Sequence, residues 1–160
     1  VAEMAYRELV RGASGALAFD LYAGAGVTTQ LLRRQFDQVI PCESNPESAR
    51  ELGVRAESVA SFLGRQQLRP DVVVANPPRA GMGDEVCRRL VEIGVPRLHV
   101  MSCNARSMRR DLDVLCAPGR LQVESVEAFD TLPQTPHVEL VVRLADKAIS
   151  RKTELSSNKI

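Results

Sequence analysis

The chain has 160 residues, the size of one domain, and carries a formal net charge of +1 with 26% charged residues. That balance gives no overall pull toward nucleic acid or a membrane surface, so any basic patch is local. With 44% hydrophobic residues, 4% aromatics and no tryptophan, the core must be aliphatic. No apolar stretch approaches membrane-spanning length, and no secretory signal pattern is visible. Cys42, Cys87, Cys103 and Cys116 show no C-x-x-C spacing and read as reduced thiols of a cytoplasmic protein. The chain opens at Val1, already within a helical pattern, and is expected to be a piece of a longer protein.

In chain order, residues 3–11 read as helix and Leu17 to Tyr22 as an apolar strand that ends in the Gly24-Ala25-Gly26 breaker. Val27 to Phe36 reads as helix and Gln38 to Cys42 as a short strand. Asn45 caps a helix to Leu52, with Pro46 suited to its first turn. A weak strand near Val54 and a helix from Ser58 to Gln67 come next. Asp71 to Ala75 is almost pure valine, the signature of a strand buried on both faces, and Asn76-Pro77-Pro78-Arg79 stops it. Helix 83–93, strand 97–101 and helix 105–116 then alternate. Strands 120–129 and 137–144 are joined by Pro133-Gln134-Thr135-Pro136, too short for a parallel crossover, so that pair is antiparallel.

Alternating strands and helices predict an α/β, doubly wound, mostly parallel sheet. The closing antiparallel hairpin argues against a six-stranded dinucleotide fold and for the seven-stranded, Rossmann-like sheet of class I methyltransferases. The catalytic domain is expected over 1–145, with 146–160 a polar, flexible tail.

"DLYAGAG", Asp20 to Gly26, lies where the first strand meets the first crossover helix. Thr29 occupies the third glycine position of a dinucleotide fingerprint, which therefore fails. The spacing fits better the D/E-x-x-x-G-x-G pattern of S-adenosylmethionine sites. A glycine pair alone is equally consistent with a plain turn. Glu43 tips the balance, because it ends the second strand beside the glycine turn, where a carboxylate can accept both ribose hydroxyls. Asn76 ends the fourth strand at the same edge, held extended by two prolines.

Cys103 closes the fifth strand and precedes a helix. An arbitrary cysteine is more often a small buried hydrophobe. Here the helix dipole and Arg106, Arg109 and Arg110 favour a thiolate, so Cys103 is the candidate nucleophile. The other three cysteines and His99 read as packing residues.

"DLYAGAG", "NPPRAG", "SCNARSMRRDL" and "FDTLPQTPHVELV" stand in the order and spacing of the S-adenosylmethionine-dependent RNA uracil-5-methyltransferases, which make 5-methyluridine in tRNA and ribosomal RNA. The chain resembles this family over about residues 3–144. The resemblance implies Cys103 as nucleophile and Glu139 as base, with no metal. It further implies Tyr22, Gly24, Gly26, Glu43 and Asn76 as S-adenosylmethionine contacts, with Glu57 toward the adenine. It implies an RNA substrate, bound with the help of an amino-terminal domain. The chain departs from the family pattern at Asn76, where aspartate is usual, and at Val27 and Ala105, where asparagine and proline are common. Two other functions fit parts of the sequence. A base amino-group methyltransferase would use the Asn-Pro-Pro motif but has no use for Cys103. A degenerate cofactor-binding or interaction domain would need neither.

Overall fold

The computed structural model describes residues 2–131 and 138–151. Helix α1 (Ala2–Val10) precedes β1 (Gly15–Leu21), α2 (Val27–Leu32) and β2 (Phe36–Cys42). Then come α3 (Pro46–Leu52), α4 (Val59–Arg65), β3 (Val72–Ala75) and α5 (Asp84–Ile93). The chain continues with β4 (Arg97–Ser102), α6 (Ala105–Cys116), β5 (Leu121–Asp130) and β6 (Val138–Asp146). The described sheet has six strands in the order β2-β1-β3-β4-β6-β5. β2, β1, β3 and β4 are parallel, and β6 runs antiparallel to both β4 and β5.

The doubly wound architecture with its closing antiparallel pair is as expected, but the described sheet lacks the seventh strand. The segment near Val54 forms no ladder. Gly53 ends α3 in the left-handed conformation, and the Val54 amide folds back to Ala49. One backbone bond, from the Glu57 amide to the Glu43 carbonyl, links this segment to the end of β2. A single valine among glycine and charged residues buries too little apolar surface to hold an edge strand. The first crossover helix is also shorter than its sequence pattern. Arg33 caps α2, and Phe36 instead opens β2, buried in the core.

The remaining boundaries follow local chemistry. The Asn45 side chain accepts from the Glu47 and Ser48 amides, and the Ser58 hydroxyl accepts from Ser61. All four residues of β3 are buried, as its valine run requires. Alternation along the strands supplies two cores. On one face Phe19, Val73, Leu98 and Leu144 meet α4, α5 and α6, with Phe19 and Phe62 edge to face at 5.2 Å. On the other Ala18, Val72, Val74 and Val141 meet α1 and α2.

Helix α1 is fastened to the sheet by polar contacts. The His99 ring, buried in β4, places Nδ1 2.7 Å from the Leu9 carbonyl. Burial holds its pKa down at about 4, so the ring is neutral and donates from Nδ1 at physiological pH. Arg143 of β6 reaches both the carbonyl and the carboxylate of Glu8, and its Nη1 lies 3.2 Å from Ser125 Oγ and from Glu127. Past β6, residues 147–151 are helical, and the buried Ser150 hydroxyl donates to Glu124 at 2.8 Å. Residues 152–160 of the expected tail lie outside the described residues, as do 132–137, which include the two prolines of the last link and His137.

Candidate active site

The chain runs outward from β1 to β2 on one side and to β3 on the other. Open α/β sheets bind ligands beyond the carboxyl ends of their strands at such a switch point. Tyr22, Glu43, Asn76 and Cys103 each follow directly on the carboxyl end of their strand, so all four stand at this edge.

The glycine turn is built by left-handed backbone. Tyr22 has φ 60°, Gly24 54° and Gly26 82°. Tyr22 is strained there, since a bulky side chain rarely adopts positive φ, and its half-buried ring packs against the core. Burial raises the pKa of its phenol, so it stays protonated. A Cβ added to Gly24 would meet nothing within 4 Å, so the space beside its Cα is open. At Gly26 the left-handed backbone favours glycine, and an added Cβ 2.6 Å from Leu52 Cδ2 would make that side chain shift.

Glu43 is 9% exposed, and backbone amides hold both its carboxylate oxygens. Gly24 donates to Oε2 at 2.7 Å and Asn45 to Oε1 at 2.7 Å. One amide per oxygen leaves each oxygen with a further acceptor site. The two free acceptor sites thus fit the two hydroxyls of a vicinal diol such as a ribose. Glu57 is differently engaged. Both its oxygens meet the Arg65 guanidinium, whose bonds lower the Glu57 pKa. The Asn76 side chain points toward Tyr6 of α1, with Nδ2 3.5 Å from the hydroxyl, at the long limit of a hydrogen bond.

Asp20 is the buried acid of the site and was not singled out from sequence, although it is the first letter of the glycine motif. It is 1% exposed and accepts from the Thr29 hydroxyl at 2.5 Å. Burial raises its pKa to about 7; the Thr29 bond opposes this, and the charge of Glu43 adds to it. The folded state therefore keeps a proton that the unfolded chain releases near 3.8, and stability falls as pH rises from about 4 through about 7. Asp20→Asn, which can still accept from Thr29, is expected to stabilise the protein by about 2–4 kcal/mol at pH 8 and hardly at all at pH 4. Thermal unfolding of parent and variant at both pH values checks this, and an equal difference at the two would show that Asp20 ionises normally. His99 acts in the opposite sense, costing stability as pH falls from 6.5 toward 4.

Cys103 is the exposed one of four free cysteines. Burial pushes the Cys42 and Cys87 thiols up to about 12, and it also raises Cys116, so these three remain thiols. The turn that presents Cys103 is rigidly built. The Ser102 hydroxyl accepts from the Asn104 amide at 3.1 Å. The Asn104 side chain caps α6 by accepting from Arg106 and Ser107 at 3.0 and 3.4 Å.

The expected arginine cluster is dispersed. Arg109 pairs with Asp113 at 3.1 Å, and Arg110 donates to the Ala80 carbonyl at 3.3 Å. Asp111 binds backbone amides rather than an arginine. On a helix, i and i+4 side chains meet, so Arg109 finds an acid one turn away before it finds Cys103. The helix amino terminus remains beside the thiol, together with exposed Arg106.

Glu139 is half-buried in β6, opposite Phe129 of β5. The β4–β6 ladder ends at Ser102, paired with Leu140, so Cys103 and Glu139 each adjoin its last pair. Residues remote in sequence thus arrive at one edge.

This fold is that of the class I, S-adenosylmethionine-dependent methyltransferases. The N-methyltransferase NodS of Bradyrhizobium japonicum superposes with TM-score 0.72 at 12% identity, over 91% of this chain and 96% of that one. The particular family is shown by sequence: residues 63–147 match the tRNA (uracil-5-)-methyltransferase model, and the chain belongs to that family. It is 35% identical over 144 residues to an uncharacterized RNA methyltransferase of Bacteroides thetaiotaomicron, covering 80% of this chain and 31% of that protein. It is 34% identical over 112 residues to the 23S rRNA (uracil(747)-C(5))-methyltransferase RlmC of Glaesserella parasuis, covering 66% and 28%. The structure of Pyrococcus abyssi tRNA (uracil-54, C5)-methyltransferase in complex with S-adenosyl-L-homocysteine aligns with TM-score 0.69 at 27% identity, over 88% of this chain and 37% of that one. The chain thus spans about 30% of the length of the curated relatives it matches. Among the described residues no helix is long and apolar enough to cross a membrane.

Proposed function

We propose that this chain is the catalytic domain of an enzyme that methylates carbon 5 of a uridine in tRNA or ribosomal RNA, through a covalent cysteine adduct. The observation that carries the reading is Cys103. In a chain of this family, the exposed cysteine stands on a capped turn at the same sheet edge as the glycine loop and Glu43.

S-adenosylmethionine supplies an electrophilic methyl group. Glu43 would hold its ribose hydroxyls, with Tyr22, Gly24 and Gly26 shaping the loop beneath and Asn76 closing the adjacent strand end. Glu57 would face the adenine only by giving up part of its Arg65 pairing, since its amide already donates to the Glu43 carbonyl. Carbon 5 of uracil is a poor nucleophile. Addition of the Cys103 thiolate to carbon 6 makes an enolate with electron density at carbon 5. After methylation, Glu139 removes the carbon 5 proton, the electron pair reforms the 5,6 double bond, and the thiolate leaves. The uridine must leave its stack to reach the thiol, at a cost of about a few kcal/mol.

The RNA contacts that supply this energy belong to a separate amino-terminal domain, because a net charge of +1 gives one catalytic cleft little phosphate affinity. Its location is the cytoplasm in this reading, which an RNA substrate and cysteines free of disulfides support.

The test is methylation of unmodified tRNA and ribosomal RNA transcripts by the full-length protein, with mass spectrometry of the nucleosides. We expect 5-methyluridine. An N-methylated nucleoside would instead indicate amino-group transfer, and no methylation would indicate a cofactor-binding or interaction domain.

A further inference from the structure

We propose that Ser107 and Asp111 are positioning residues that join the Arg79–Gly83 loop and the Cys103 turn into one rigid body. The two lie one turn apart on the buried face of α6, 0% and 5% exposed. The Asp111 carboxylate accepts from the Met82 amide at 2.7 Å and from the Gly83 amide at 3.1 Å. Ser107 Oγ lies 2.9 Å from the Arg79 carbonyl and 3.0 Å from the Asn104 carbonyl, so its single proton is shared between the two loops. Between these anchors the loop lies flat on the helix. Gly81 has φ 86°, and an added Cβ would stand 2.7 Å from Asp111 Oδ2 and 3.1 Å from Ser107 Cβ.

The chemical consequence rests on the function proposed above. The Arg79–Gly83 loop continues directly from Asn76 and its prolines, on the cofactor side of the edge. Cys103 is on the substrate side. Thiolate addition and methyl transfer need the two sides in fixed relation, because a misplacement of about 1 Å can cost on the order of a hundredfold in rate. Neither side chain meets reacting atoms. Asp111 holds the loop that follows Asn76, and Ser107 ties that loop to the Asn104 carbonyl next to Cys103.

Ser107→Ala and Asp111→Asn in the full-length protein test this with two readouts. The first is hydrogen–deuterium exchange. Each substitution should accelerate exchange in both segments, 79–83 and 102–107, and Ser107→Thr, which keeps the hydroxyl, should restore the parent pattern. Faster exchange confined to one segment would overturn the coupling. The second is trapping of RNA containing 5-fluorouridine. Each variant should trap about 10- to 100-fold more slowly while binding S-adenosylhomocysteine within about twofold of the parent. Trapping at the parent rate, or slowed only as much as the folded fraction falls, would overturn the positioning role. If the parent itself trapped nothing, the proposed function would fail, and the exchange arm would still decide whether the two loops move as one.

Discussion

Cys103→Ala should eliminate the covalent complex with 5-fluorouridine RNA. Fluorine at carbon 5 cannot leave as a proton, so a parent enzyme that has added its thiolate and transferred the methyl group is held on the RNA. Alanine offers no nucleophile, and no other cysteine can replace it, since Cys42 and Cys87 are buried with thiols pushed up to about 12 and Cys116 is half-buried. Loss of a catalytic nucleophile typically costs about 10⁴-fold or more in turnover. The substitution lies on an exposed turn whose hydrogen bonds come from Ser102 and Asn104, so the fold and cofactor affinity should persist. A denaturing gel reads the complex. Equal trapping by parent and variant would remove Cys103 from the mechanism.

Glu139→Gln should separate attack from release. Thiolate addition and methyl transfer need no base at carbon 5, but elimination does. With ordinary uridine RNA the variant should accumulate a methylated covalent adduct, and its turnover should fall by about 10²–10⁴-fold, the usual contribution of a general base. Glutamine conserves the size of the side chain, and the position is half-buried at the start of β6, so packing there changes little. Intact-mass spectrometry of the RNA–protein complex distinguishes the methylated adduct from simple binding. Turnover at the parent rate would show that another group takes the proton.

Much of the fold was legible because its signals are local. A four-residue run of valine and alanine bounded by Asp71 and Asn76-Pro77 reads as a strand buried on both faces, and β3 is one. Asn45 and Ser58 satisfy amides within their own helices, so their caps read directly. The motifs at strand ends also brought Tyr22, Glu43, Asn76 and Cys103 to one edge, because parallel strands of a doubly wound sheet all finish there. Where a signal was marginal, packing decided. Phe36 continued a helical pattern but entered the sheet, where its ring is buried. Val54 had too few apolar neighbours to form a strand.

The sequence by itself determined the sheet order's parallel core, the antiparallel close and the family, since each rests on residue types at short spacing. Only the tertiary structure decided the partners of charged and polar side chains. Arg143 turns to Glu8, and Asp111 to the amides of Met82 and Gly83, pairings that reach across 135 and about 28 residues of chain. It likewise buried Asp20 against the Thr29 hydroxyl of α2 and paired β6 with β4 as far as Ser102. The reason is physical. Hydrophobic periodicity and capping act within a few residues and leave a mark there. A carboxylate or guanidinium can accept any of several partners, and only the packing of distant elements selects which one is within 3 Å.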